Sequence, residues 1–193
     1  MSWQLIRLDD VAATPWRNGG GVTRELLAWP LGHGGVAADW DWRLSVAEVT
    51  ASGPFSRFDG VQRWFAVLQG EGVRLALDGI GIDLSARSAP FLFDGGAAVD
   101  CQLLAGATQD FNLMLRRGRG QATMQRVSGQ LEAARMAAGT WVAAYNAGAL
   151  AHLHLSGEDP LELPTHCLAW RQLDAPANVL VQADAALWLE ISR

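Results

Sequence analysis

Lysine is absent from this 193-residue chain, so all 15 of its basic residues are arginine. Every cation is therefore a planar fork that stays charged and can hold a carboxylate at two points. Cysteine is scarce. Cys101 and Cys167 lie far apart among strand-like apolar neighbours. They read as two buried thiols in a reducing compartment, a disulfide being the other arrangement they allow. An excess of positive charge is also missing: 15 basic against 20 acidic residues give a net charge of -5. This argues against broad attraction to nucleic acid or anionic lipid and leaves room only for a local basic site. No apolar run approaches the ~20 residues a membrane span requires. The start, MSWQLIRLDD, has no apolar stretch of the secretory kind, so a cytoplasmic location is expected. Half of the residues are hydrophobic, enough for a sizeable core in one compact domain or two fused small ones.

What is present is strand periodicity. Apolar residues alternate with polar ones or come in short bursts at 3–8, 42–49, 64–69, 73–77, 99–104, 111–115, 141–146, 150–155, 167–173, 179–182 and 187–191. Runs of this length predict β-strands. Glycine and proline clusters at 19–21, 32–35, 53–54, 79 and 95–96 fall between them at intervals suited to a sandwich or barrel. Only 130–138 looks helical. Charge and glycine combine in RRGRG at 116–120, which marks a boundary between an N-terminal lobe, 1–118, and a C-terminal lobe, 119–193, with strands free to exchange between them. An RNA-binding reading of RRGRG fits poorly with an acidic chain.

Cupins resemble one another through a strand-turn-strand pattern in which Gly, five residues, His-x-His, three residues, Glu, six residues and Gly follow in order. The segment GPFSRFDGVQRWFAVLQGEG keeps the two glycines, Gly53 and Gly72, and places Asp59, Val61 and Phe65 in the ligand slots. Valine and phenylalanine cannot donate to a divalent metal, so no catalytic metal is expected in this lobe. Side chains alternate faces along a strand, which puts Arg63 on the inward face with Val61 and Phe65. On 42–49, Arg43, Ser45, Ala47 and Val49 share a face on which the small Ser45 and Ala47 leave room. An arginine at the wall of such a cavity needs a partner. Either an internal carboxylate, Asp59, Glu48 or Glu25, pairs with it, or a small carboxylate ligand does.

The loop PWRNGGGVTRE at 15–25 has three consecutive glycines, which are costly to order and imply a sharp turn or a close approach of backbone. It lacks a phosphate-loop pattern and runs into the alternating VTREL, a strand and not a helix N-terminus.

PWRNGGGVTREL, WRLSVAEV, GPFSRFDGVQR, PFLFDGG and DFNLMLRRG, in this order over residues 15–118, resemble the HutD/Ves family. The resemblance implies an all-β bicupin of two cupin-like, jelly-roll lobes with little helix. It also implies a protein without established enzymatic activity, one branch of the family being associated with histidine utilisation as a governor of that pathway. By motif it implicates Trp16, Arg17, Asn18, Thr23, Glu25, Arg43, Ser45, Phe55, Ser56, Arg63, Asp110 and Asn112. Family members commonly carry lysine where Arg17 stands, which keeps the charge and changes its geometry.

In the C-terminal lobe, His152-Leu153-His154 is followed by Glu158 and His166. Alternation puts the first two histidines on one strand face, as a cupin metal site requires. The opening glycine, Gly148, is mis-spaced, and an exposed polar strand face accounts for the same pattern. His33, in a glycine-rich loop, reads as solvated. Trp42, Trp64, Trp141, Trp170 and Trp188 sit inside strands and read as core, not as a sugar platform. No nucleophile elbow or local catalytic triad can be assembled.

These features favour a non-enzymatic binding protein for a small carboxylate metabolite, by resemblance urocanate or a formylated product of histidine breakdown. Arg63 binds the carboxylate in this reading, assisted by Arg43 or Arg17. Asn18, Thr23 and Ser45 supply hydrogen bonds, and Trp16 and Phe55 pack on the apolar part. No cofactor, nucleic acid or membrane partner is expected, and exposed sheet edges allow a homodimer. One alternative is a metal-independent isomerase or lyase with Glu25 or Glu48 as base. Another is a metal-dependent enzyme using the C-terminal histidines.

Overall fold

The computed structural model describes residues 2–31 and 39–193; His33 and the glycine cluster at 32–35 lie outside them. Strand β1 (Gln4–Arg7) leads into a 3-10 turn, Leu8–Asp10. Ten strands follow: β2 (Thr14–Pro15), β3 (Gly21–Trp29), β4 (Trp42–Val49), β5 (Gly53–Pro54), β6 (Val61–Gln69), β7 (Val73–Leu77), β8 (Ile80–Leu84), β9 (Phe91–Asp94), β10 (Val99–Leu103) and β11 (Thr108–Arg116). The last six are β12 (Gln121–Met136), β13 (Trp141–Asn146), β14 (Ala151–Leu155), β15 (Leu161–Glu162), β16 (Cys167–Gln172) and β17 (Ala177–Ser192). The protein is all-β. Among the described residues no helix is long and apolar enough to cross a membrane.

The chain divides into two units, Val11–Arg119 and Met1–Asp10 with Gly120–Arg193. The first residues join the C-terminal unit because β1 pairs antiparallel with β16, Gln4 opposite Trp170 and Arg7 opposite Cys167. RRGRG closes the Val11–Arg119 unit as an ion-paired turn. Arg117 meets Asp94 at 3.0 Å and Arg119 meets Asp41 at 3.3 Å. Arg116 donates to the Trp40 carbonyl and lies over the Trp40 ring.

In the Val11–Arg119 unit a six-stranded sheet, ordered β2-β3-β4-β11-β6-β9, packs on a four-stranded sheet, β5-β10-β7-β8. Val49, Phe65, Val67 and Phe93 from the first meet Val73, Leu75, Leu84, Val99 and Cys101 from the second in one core. Alternation explains the second sheet: Val73 and Leu75 point in while Arg74 and Ala76 are exposed. Each large apolar side chain removed from water in this way contributes ~1.5–3 kcal/mol.

The other unit is one sheet, β1-β16-β13-β17-β14-β15, with β12 paired to β17. Its core takes Ala151, Leu153 and Leu155 from β14 together with Val142, Ala144, Cys167, Ala169, Val179, Val181 and Trp188. Both cysteines are free and buried. The five tryptophans expected in the core are all buried.

The helix expected at 130–138 is instead the second half of β12. Leu131-Glu132-Ala133-Ala134 are helix formers, but nine residues are too few to hold a helix in water. Pairing with β17 gives the segment ladder partners from Gln130 to Ala133 and again at Met136, and places Ala133 and Met136 in the core. Gly129, at φ 98°, and Arg135, at φ 59°, mark the two register shifts that bend the strand. The two short strands expected at 179–182 and 187–191 are one continuous strand, β17.

Candidate functional site

Three rows of side chains cross the inner face of the six-stranded sheet. The first runs Ala28, Arg43, Met114, Arg63, Phe93, and the second Glu25, Ser45, Asn112, Phe65, Phe91. The third is Thr23, Ala47, Asp110, Val67. Arg43 and Arg63 thus stand on either side of β11, on strands two ladder spacings, or roughly 10 Å, apart.

Arg63 is 7% exposed. Its Nε donates to Asn112 Oδ1 at 2.8 Å, and its guanidinium lies 4.5 Å from the Phe55 ring centre and 5.4 Å from that of Phe93. Desolvation, then repulsion from Arg43, pull its pKa down to about 10, with Asp110 and Cys101 acting the other way. The fork remains charged at neutral pH. Two aromatic faces and an amide oxygen are favourable neighbours for a cation but do not neutralise it.

None of the three internal carboxylates considered as its partner takes that place. Glu48 has the opposite parity to Arg43 and pairs with Arg24 at 3.2 Å. Asp59 is exposed in the turn before β6. Glu25 does face inward, but it pairs with Arg43, whose Nε lies 2.9 Å from Oε2. That contact is an ion pair without an aligned hydrogen bond, since Arg43 Nε and Nη1 are buried without an acceptor in line. Burial lowers the Arg43 pKa and Glu25 raises it. A base at Glu48 would stand outside the inner face, and one at Glu25 is already engaged by a cation.

Among the remaining residues, Phe55 and Ser45 are brought to this face. Trp16 packs at its edge and donates from Nε1 to Thr23 Oγ1 at 2.8 Å. Arg17 and Asn18 are not brought to it. Both are exposed in the turn, where Asn18 Oδ1 accepts from Gly20 N. Ser56 is exposed as well. The glycine run has a backbone purpose: Gly19 takes φ 71°, and a Cβ on Gly21 would collide with the Glu48 carbonyl oxygen.

Thr108, Phe93 and Cys101 complete the surroundings and went unrecognised as site residues in the sequence. Asp110 is fully buried. Its Oδ2 accepts from the Thr108 hydroxyl at 2.8 Å, and its Oδ1 has no partner. Burial pushes its carboxyl up to about 7 against the smaller opposing effects of Thr108 and Arg63. Burial and Asp110 push the Cys101 thiol up to about 12, so it is neutral. The signal for this cluster was the polar alternation Thr108, Asp110, Asn112 within an otherwise apolar strand.

The vacant cupin slots do not fit a metal: Val61 and Phe65 are buried without donor atoms, and Asp59 faces solvent. In the other unit, His152 and His154 lie on the face opposite Leu153, with ring centres 6.3 Å apart and His154 Nε2 3.1 Å from Gln182 Oε1. Glu158 is taken by Arg171 at 2.7 Å. His166 sits in a turn at φ 56°. Among the described residues no three His, Cys, Asp or Glu side chains gather as a metal site, so the set His152, His154, Glu158 and His166 is not assembled.

Two sheets closed over one core, with a guanidinium on the inner face where metal donors are missing, define a protein of cupin-like fold. The chain belongs to the HutD family, whose model matches residues 8–189. It is 42% identical over 127 residues to a 21.2 kDa protein of Pseudomonas putida named for its position in the hutC 3' region, the match covering 65% of each chain. Protein Ves of Citrobacter koseri is 36% identical over 111 residues, 57% of this chain and 56% of its own. The matched stretch thus spans less than two thirds of either relative. Solved structures match over the whole chain. HutD from Pseudomonas fluorescens, in its formate condition, superposes with TM-score 0.82 at 31% identity, covering 100% of both chains. A conserved protein of unknown function from Pseudomonas aeruginosa does so at 0.83 and 34%, covering 100% of this chain and 98% of that one. A cupin 2 barrel protein from Leptotrichia buccalis, 7% identical at TM-score 0.59 over 98% of this chain and 96% of its own, shares the fold alone.

Proposed function

We propose that the inner face of the Val11–Arg119 unit binds a small carboxylate metabolite, and that the protein acts without catalysis as a sensor or buffer in histidine utilisation. The observation that carries this reading is Arg63: a buried guanidinium held by a neutral amide, with Glu48 and Glu25 engaged by other arginines and Asp59 turned to solvent. Completing a desolvated guanidinium with a carboxylate gives charge-assisted hydrogen bonds, roughly twice as strong as neutral ones. Phe55 and Phe93 supply an apolar wall beside it, suited to the flat body of a compound such as urocanate. Ser45 lies one row from Arg43 on the same face, and in this reading its hydroxyl donates to the second oxygen.

The Pseudomonas fluorescens HutD was described in a formate condition, and the P. putida relative is named for the hutC 3' region. The locus name supports a ligand from histidine breakdown, and formate is the smallest carboxylate with which to probe the site. Thermal melts with formate, urocanate and formylglutamate test the reading. The expected result is a rise in melting temperature that grows with ligand concentration in the wild type, by linkage, and vanishes in Arg63→Ala. An undiminished shift in Arg63→Ala sinks the assignment.

A further inference from the structure

The carboxylate reading leaves Asp110 unexplained. It is 0% exposed, on the same face as two arginines, and only one of its oxygens is satisfied. An ionised carboxylate with an orphaned buried oxygen is costly. It would also tend to cancel the positive charge that draws an anion to Arg63.

Glu25 offsets Arg43, leaving Arg63 and Asp110. If Asp110 is ionised the face is neutral overall and has no net attraction for an anion; if it is a carboxyl group the face carries one positive charge. The carboxyl form also removes the buried charge, and its proton turns the partnerless Oδ1 from an acceptor without a donor into a donor that a ligand oxygen can satisfy. That donor lies one row beyond Asn112, toward which the Arg63 side chain leans. The titratable and charged groups that face Asp110 are Arg63 from β6 and the neutral Cys101 from β10, with Arg43 of β4 and Glu25 of β3 further along the same face. The other acids of these strands, Glu48 of β4 and Asp100 of β10, have the opposite parity and face away from the site.

We propose that Asp110 is a specificity-determining residue of this site: it meets the ligand as an uncharged carboxyl that donates a hydrogen bond, so the site takes one singly charged carboxylate together with one proton. This rests on the carboxylate reading above. Where Asp110 is ionised in the free protein, the proton comes from solvent and is released when the ligand leaves. No covalent bond forms or breaks.

Calorimetric titration of the full-length protein with sodium formate tests this, because formate stays ionised throughout the range from about pH 6 to about pH 8.5. Between these limits the wild-type affinity is expected to approach a tenfold fall per pH unit on the alkaline side, and to level off on the acid side. In buffers of different ionisation enthalpy the wild type should take up close to one proton per formate at the alkaline end. Asp110→Asn, whose amide keeps a donor, should bind formate with a flat pH profile and no uptake. Formate binding that is equal at both limits with no buffer-dependent heat, or proton uptake that persists in Asp110→Asn, overturns the assignment of Asp110 and leaves the carboxylate reading standing. No formate binding at any pH overturns both. Should Asp110→Asn fail to fold, the wild-type buffer series decides by itself.

Discussion

Arg63 and Asn112 meet across the β6–β11 ladder, Nε donating to Oδ1 at 2.8 Å, with Asn112 placed opposite Phe65. Asn112 therefore orients the guanidinium without discharging it. An aspartate at the same place is nearly isosteric and would do both.

That contrast gives the first prediction. In Asn112→Asp, the new carboxylate occupies the charge of Arg63 internally. The carboxylate-induced melting shift should disappear while the protein stays as stable as the wild type or becomes more so. Asn112→Ala leaves Nε without its acceptor and should destabilise by about 1–3 kcal/mol. Urea unfolding and thermal melts of the two variants check both. A full ligand shift in Asn112→Asp would mean that the charge on Arg63 is not what binds.

The second prediction concerns stability against pH. The Asp110 carboxyl is raised in the folded protein to about 7 from the ordinary value of 3.8. A raised acid favours the fold below its unfolded value, and that advantage is lost as pH rises through the folded value. The loss therefore runs from about pH 4 to about pH 7, at up to about 1.4 kcal/mol per unit, and is constant above. Asp83, Asp94 and Asp184 are shifted the other way by their partners. Total stability is accordingly the wrong readout. The difference between Asp110→Asn and wild type, by urea unfolding across this range, should grow in favour of the variant and then level off. A difference that does not change with pH would place the carboxyl back in the usual range.

Much of the fold was legible because its strands are short and strongly patterned: 42–49, 73–77 and 141–146 fall at the bounds of β4, β7 and β13. The 130–138 segment was not, because its helix-forming side chains are outweighed by a partner strand over 40 residues away, which no local window contains. Strands β8 and β9 were masked by glycine and proline around them. At the site, strand parity identified the face of Arg63 and Arg43. What parity cannot say is which carboxylate reaches which cation. Both pairs join residues far apart in sequence, and only the register of β3 on β4, with its shift between Glu25 and Leu27, sends Glu48 to Arg24 and Glu25 to Arg43. Asp110 carried a signal in its alternation with Thr108 and Asn112, but its orphaned oxygen is a property of three-dimensional packing alone.

In the C-terminal unit a buried arginine is held by a carboxylate, where Arg63 is held by an amide. Arg171 is 5% exposed, lies over the Trp3 ring at 5.6 Å, and sends Nη1 to both oxygens of Glu158 at 2.8 and 2.7 Å. Like Arg63 it is a buried cation beside an aromatic ring, but here the protein provides the carboxylate. Breaking a buried pair costs about 3–5 kcal/mol when one charge is stranded. The Glu158 side chain is 42% exposed, so water reaches its end of the pair and the expected cost of Glu158→Gln falls to about 1–2 kcal/mol. The same variant should leave the carboxylate response of Arg63 untouched, since Arg171 belongs to the other unit. Chemical unfolding measures the first effect and ligand-dependent melting the second. If Glu158→Gln is neutral in stability, the contact is only a surface pair. If it abolishes the ligand response without loss of stability, the carboxylate acts through Arg171, and the assignment to Arg63 has to move with it.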